Sequence, residues 1–357
     1  MNLLTDMTIE SADALEIREI TADDSETLRH LYESNPDGGD VQFAPRFKVD
    51  PYEMYEKMTP ADEQVAFIAE TSDGDPAGAG LMQLDDARIG GELRRRAYLA
   101  GLVVDHDYRG MGLGKRLAAE RVQYAEREAG DDVVVTAAIQ DGNDPSMAVA
   151  SSWADEYPYN YVNHAIELRD DPPTTAYDVR SVDDSELGAF VEEMNNFYDD
   201  AEMWVPYQED RLAKMLETEI DGHHVHQCDL VVEDGEFVAG AHVIEVHKLQ
   251  SMVVTDLPPE LEDGEELPSS IPNDREIRPT IIIPWFGNGA KDAGEIIVEY
   301  ERATAGDANR LMFLFDPAGP LGQLDSLEVD EGTMRLNWAV RGLDDPIIDT
   351  FVAPGVG

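Results

Sequence analysis

From Leu15 onward the chain sorts its apolar and polar positions into short segments of two kinds. LEIREI alternates as a strand, and a helix is predicted to open at Thr21–Asp24, with Leu28 and Leu31 on its buried face. A second short helix is predicted over Pro51–Met58. Val65–Glu70 alternates as a strand, SDGDP marks a turn, and Ala77–Leu84 completes a hairpin. Ala97–Val104 predicts a further strand. After a glycine-rich stretch, Leu117, Ala118, Val122, Ala125 and Ala129 share one helical face, and Gly130 ends that helix. Val133–Ile139 is a continuous apolar run, the pattern of a strand buried on both faces. The predicted order is β-α-α-β-β-β-α-β.

RDDPPTTA (Arg169–Ala176) reads as a linker, after which the pattern begins again at an offset of roughly 162 residues. YDVRSVDDSELGAFV (Tyr177–Val191) echoes LEIREITADDSETLRHL. LVVEDGEFVAGAH (Leu230–His242) echoes FIAETSDGDPAGAG, matching Glu70, Gly78 and Ala79 with Glu233, Gly240 and Ala241. A repeat this long predicts two copies of one domain, 1–168 and 177–357 around the linker 169–176, because a solenoid repeats at a much shorter period. In the second copy a Pro/Glu/Asp-rich loop, 255–279, precedes a strand over 280–285, a helix near 290–305 and a strand over 310–315.

Composition narrows the possibilities. A hydrophobic fraction of 42% is enough for packed cores despite a formal charge of -50. The acid is dispersed along the chain rather than blocked into a tail, and lysine is scarce, six of the 26 basic residues. Such a surface suits a salt-rich interior, where ions screen the self-repulsion. It lacks the basic footprint that nucleic acid requires. No apolar run approaches the ~20 residues that cross a bilayer. MNLLTDMTIESADAL has neither the basic nor the apolar region of a signal peptide. Cys228 is the single cysteine, which precludes an intramolecular disulfide and fits the cytoplasm.

The candidate chemistry sits in DYRGMGLGKRL, Asp107–Leu117. A Walker A loop fails twice, because Arg109 and Arg116 stand where Gly and Ser/Thr are needed. A dinucleotide fingerprint fails at Lys115. What fits is R-x-x-G-x-G, with Arg109, Gly112 and Gly114, between a strand and a helix start. Unpaired backbone N–H groups there face outward at the positive end of the helix dipole. Glycines let an anion approach them, and a diphosphate is the obvious ligand.

GLVVDHDYRGMGLGKRLAAERVQYA resembles the acetyl-CoA-binding motif of the GNAT superfamily of N-acetyltransferases, and the element order before it is also that family's. The resemblance implies an α/β (α+β) fold of two GNAT-like domains, each a mostly antiparallel twisted mixed sheet flanked by helices. It implies direct transfer of the acetyl group of acetyl-CoA, as co-substrate and without a metal, to a primary amine in a ternary complex. Leu102, Val103 and Val104 would meet the acetyl and pantetheine portion. Arg109, Gly110, Met111, Gly112, Leu113, Gly114 and Lys115 would wrap the pyrophosphate, with Asn143 and Ser146 near the pantetheine arm. The family's acid tyrosine has no counterpart at its usual place, Ala150. Tyr98, Glu70 and Tyr157 are the catalytic candidates, with Trp153, Tyr159 and Glu92 as further ones. WFGNGAKDAG (Trp285–Gly294) is a degenerate second copy, in a domain expected to shape the acceptor pocket or to mimic a dimer partner. The implied partner is a small-molecule or peptide amine, with no nucleic acid or membrane, and a homodimer as one open assembly. A non-catalytic acyl-CoA sensor is the competing class. Two clusters stand apart from this. His223, His224, His226 and Cys228 read as a polar turn entering a strand rather than a metal site, and Arg94–Arg96 reads as a neutralising basic cluster.

Overall fold

The computed structural model describes residues 14–58, 61–262, 267, 270–329 and 333–343. The first half runs β1 (Glu16–Glu19), α1 (Ser25–Ser34), β2 (Asp37–Gly38), β3 (Gln42–Phe47), α2 (Pro51–Lys57), β4 (Glu63–Glu70), β5 (Pro76–Ile89), β6 (Glu92–Val104), α3 (Leu113–Ala129), β7 (Val134–Gln140), α4 (Asp144–Ala150) and β8 (Glu156–Glu167). The second runs β9 (Asp178–Ser181), α5 (Leu187–Phe197), α6 (Glu209–Glu217), β10 (Glu219–Ile220), β11 (His223–His224), β12 (His226–Glu233), β13 (Glu236–Ile244), β14 (Gln250–Asp256), α7 (Pro259–Glu262), β15 (Glu276–Ile277), β16 (Pro279–Phe286), α8 (Lys291–Thr304), β17 (Arg310–Phe315) and β18 (Met334–Arg341). This is the mixed, mostly antiparallel α/β architecture that the sequence predicts.

One 12-stranded sheet holds both halves, in the order β1-β4-β5-β6-β7-β18-β8-β17-β16-β13-β12-β9. The order reads the same way from either edge, each strand of one half facing its counterpart in the other. The centre departs from two separate sheets. β18, the last strand, lies between β7 and β8, and β8 pairs with β17, so each half completes the other's sheet. The expected linker, 169–176, falls between β8 and β9 and runs alongside α8, where Arg169 N–H donates to the Arg302 carbonyl.

The repeat extends to individual bonds. Arg18 grips both carboxylate oxygens of Asp24 (2.7 and 2.8 Å), and Arg180 grips both of Glu186 (2.6 and 2.7 Å). Each acid closes a capping box, with Thr21 in one copy and Asp183 in the other.

α3 packs on β5 and β6. Leu113, Leu117, Val122 and Ala125 are buried there against Phe67, Met82, Leu84 and Leu99. This is the face that periodicity predicted. A second sheet, β15-β14-β3-β2, joins a strand pair of each half. β3 was not predicted, since Pro45 interrupts QFAPRF. The proline is tolerated because β2 pairs with β3 only at Gln42 and Phe43, which leaves no ladder bond for position 45 to make on that side. Of the expected loop 255–279, residues 263–266 and 268–269 lie outside the described residues. The rest contributes the end of β14, α7 and β15.

Candidate active site

β6 and β7 run parallel but pair only from Arg96–Val134 to Tyr98–Thr136. Beyond Tyr98 the strands diverge while β6 continues to Val104. On its other side β6 keeps its antiparallel ladder with β5, but the register slips: Ala79 opposes Val103 and Leu81 opposes Ala100. Gly101 and Leu102 therefore bulge opposite Gly80. Gly101 has φ +55°, the left-handed conformation that a bulge of this kind requires.

Three side chains hold the bulge. The Tyr32 phenol donates to the Gly101 carbonyl at 2.5 Å, and the Tyr32 and Tyr55 rings lie 5.9 Å apart. From α3, Arg121 donates to the carbonyls of Leu81 (2.9 Å), Ala100 (3.0 Å) and Leu117 (3.1 Å). Arg121 is only 2% exposed, and burial pulls its pKa down to about 10. A Cβ at Gly80 would sit 2.8 Å from the guanidinium carbon, so glycine there makes room for the arginine. Burial raises the Tyr32 phenol above its ordinary value and the Tyr55 phenol well above it, so both stay protonated donors at neutral pH.

The divergence opens a cavity of about 390 Å³. One wall is β6 from Leu99 to Val103, the other Ala137 to Gln140 of β7. Asn143, Ser146, Val149 and Trp153 close it on the α4 side, and Tyr32, Asn35 and Asp37 on the α1 side. Asn143 caps α4, its carbonyl oxygen accepting from Ser146 N–H at 3.1 Å, while its amide donates to Asp37 at 3.0 Å. Asp37 is the one carboxylate among the described lining residues.

The glycine loop lies beside this cavity. Gly110 (φ +76°) and Gly112 (φ +90°) both take backbone conformations that other residues resist, and Gly112 caps α3 without a side-chain bond. A Cβ at either would meet nothing within 4 Å, so the backbone there is open to an approaching ligand. Gly114 differs. Its Cβ would lie 3.0 Å from Val149, and it lets α4 pack closely on α3. Arg109 ties the loop down, donating to the carbonyls of Val104 (3.1 Å) and Pro36 (3.2 Å). Met111 and Lys115 are exposed, and Leu113 is buried.

Of the residues that the sequence singles out, Leu102, Val103, Asn143 and Ser146 line the cavity, as does Trp153. The three first catalytic candidates do not. Glu70 is engaged by Arg18 at 2.7 and 2.8 Å. Tyr98 occupies the vertex of the divergence, its ring on Trp338 and beneath the Arg96 guanidinium, and burial raises its pKa. Tyr157, at the start of β8, is 39% exposed. Sequence reasoning missed Tyr32, Asp37 and Arg121, which no local pattern distinguishes. In the second half β16 and β17 repeat the parallel pairing, from Pro279–Arg310 to Ile281–Met312. There, however, the Phe286 ring and Leu324 both pack against Gly294, and Lys291 pairs with Asp325 at 2.8 Å. His226 is buried and bonded to His242 (3.1 Å), which meets the Tyr207 hydroxyl (2.7 Å).

Residues 25–152 match the Acetyltransferase (GNAT) family. The matched stretch is about a third of the chain and is set within a larger fold. An N-myristoyltransferase of Saccharomyces cerevisiae, solved with bound myristoyl-CoA, shares that larger fold at a TM-score of 0.66 and 10% identity, over 96% of this chain and 86% of that one. A GCN5-related N-acetyltransferase from Sphaerobacter thermophilus aligns at 0.54 and 14% identity, over 92% and 96%. One from Anabaena variabilis aligns at 0.53 and 10%, over 92% and 72%. No curated protein matches the chain by sequence.

Proposed function

We propose that this protein transfers an acyl group from a coenzyme A thioester to an amine, and that the acyl group is acetyl and the acceptor a primary amine. The observation that carries the reading is the bulged end of β6, diverging from β7 into an open cavity beside an uncapped helix start. Past Tyr98, the edge of β6 through Leu102 and Val104 has no β7 partner, which supports a pantetheine arm pairing there as an added strand. The open backbone of Arg109–Lys115 is suited to the pyrophosphate, with Asn143 and Ser146 beside the arm.

The amine arrives as an ammonium, with a pKa near ~10, and must lose a proton before it attacks. Asp37 accepts that proton. The nitrogen then forms its bond to the thioester carbon, and the carbon–sulfur bond breaks. The second nitrogen proton goes to the departing thiolate. Tyr32 fixes the Gly101 carbonyl, and with it the direction of the neighbouring N–H groups toward the developing oxyanion. Rate enhancement rests chiefly on this positioning.

Free-thiol release from acetyl-CoA with a panel of primary amines tests the reading. Asp37→Asn is expected to lower kcat by 10²–10⁴-fold, the usual span for one general base, with acetyl-CoA affinity unchanged. Tight acetyl-CoA binding without turnover on any amine rejects the enzyme in favour of a sensor.

A further inference from the structure

The cavity does not end at the splay. It continues between the large sheet and the small one, under Phe43 and Pro45 of β3 and Met252 of β14, past Ile277 of β15, and over Met334 of β18 and Met312 of β17. β7, β18, β8 and β17 are consecutive in the sheet, so this floor spans three strand spacings, about 14 Å. Pro45, Met252 and Ile277 face one another across the small sheet, Pro45 opposite Met252 and Met252 opposite Ile277. The three methionines are half-buried, open to the groove rather than sealed in a core. In a chain with 76 acidic residues, the groove's described lining holds one carboxylate, Asp37, at the splay end. Most of the apolar far end comes from the second half of the chain and lies outside the stretch that matches the acetyltransferase family.

We infer that this groove binds the acceptor, and that the acceptor is a primary amine carried on an elongated apolar body. The inference rests on the transfer reading above. A coenzyme A thioester reaching the bulge from the α3–α4 side leaves the remainder of the cavity, between the two sheets, for the nucleophile. Its lining suits such a ligand. The carboxylate that attracts the ammonium, Asp37, is held by Asn143 at the start of α4, and thioether and aliphatic side chains line the wall from Phe43 onward. Methionine is flexible and polarizable, so the far wall can close on alkyl or aryl groups of different shape. Polyamines and amino sugars would bring several charges or hydroxyl groups onto a far wall whose one described polar side chain is Asn163 of β8, opposite Met334 and with its Oδ1 unpaired.

The test is a series of n-alkylamines from ethylamine to octylamine, with spermidine and glucosamine as polar controls, followed by thiol release from acetyl-CoA. kcat/KM is expected to rise about fourfold for each methylene buried and to fall for both controls. Met334→Glu and Met252→Glu are expected to flatten the series, and Met334→Leu to preserve it. Calorimetry on the same variants is expected to show unchanged acetyl-CoA affinity, which excludes misfolding. A flat amine series with intact acetyl-CoA binding overturns the inference alone. So does a parallel series of acetyl-, butyryl- and octanoyl-CoA in which rate climbs with acyl length while amine length has no effect, since the groove would then belong to the donor. Absence of acetyl-CoA binding overturns the transfer reading and this inference together.

Discussion

Arg121 shows how much of the site depends on a side chain that no ligand need touch. Its guanidinium satisfies carbonyls from β5, β6 and α3 at once, in a space kept open by Gly80. Arg121→Met keeps much of the volume but strands those carbonyls. It is expected to cost roughly 2–4 kcal/mol in urea unfolding and to lower kcat further than stability loss explains, because the bulge loses its support. Glu301 is the opposite case. It is fully buried beside the Asp229 carboxylate, and burial together with that neighbour holds its pKa well above the usual range. A carboxyl whose folded pKa is raised keeps its proton to a higher pH in the fold than in the unfolded chain. Its cost is therefore absent below the unfolded value near 4.5 and grows as pH rises above it. Glu301→Gln is expected to stabilise the protein by roughly 1–3 kcal/mol at pH 8 and by almost nothing at pH 4. Thermal melts at the two pH values check this, and equal shifts at both would refute it.

At the scale of elements, the glycine loop was fully legible as a sequence. The structure then separates its glycines by role. Gly110 and Gly112 supply left-handed backbone on an open surface, whereas Gly114 lets α4 approach. Gly112→Asp is expected to leave helix content largely intact, since aspartate bears left-handed backbone with less strain than most residues and suits a helix start. It is also expected to weaken acetyl-CoA binding at least tenfold by placing a carboxylate where the diphosphate goes. Unchanged affinity in calorimetry would mean that the loop is only a turn. The strands and helices before the motif were equally legible, because each carries its own period. β3 was not, since its proline breaks the alternation, and only the pairing with β14 shows why the break is tolerated. Tyr32 and Asp37 were missed for a related reason. They stand at the end of α1 and just after it, far from the motif in sequence, and the fold alone brings them to the cavity.

For the molecule as a whole, the consequential feature is the exchange of β18 and β8 at the centre of the sheet. Trp338 of β18 is 1% exposed and packs between Tyr98 of β6 and Tyr161 of β8. Trp338→Ala is expected to cost roughly 3–5 kcal/mol and to unfold both halves in one calorimetric transition. Two separated transitions would show halves that fold independently. What the sequence determined by itself was whatever rests on local period and local chemistry: the order of elements, their repetition, and an open backbone at the start of α3. Tertiary structure decided the rest. Each half takes its last strand from the other, and the exchange leaves neither β7 nor β17 with an open edge of unpaired N–H and C=O groups. That exchange is also what carries methionines of the second half to the cavity of the first, a proximity between residues too distant in the chain for any sequence period to encode.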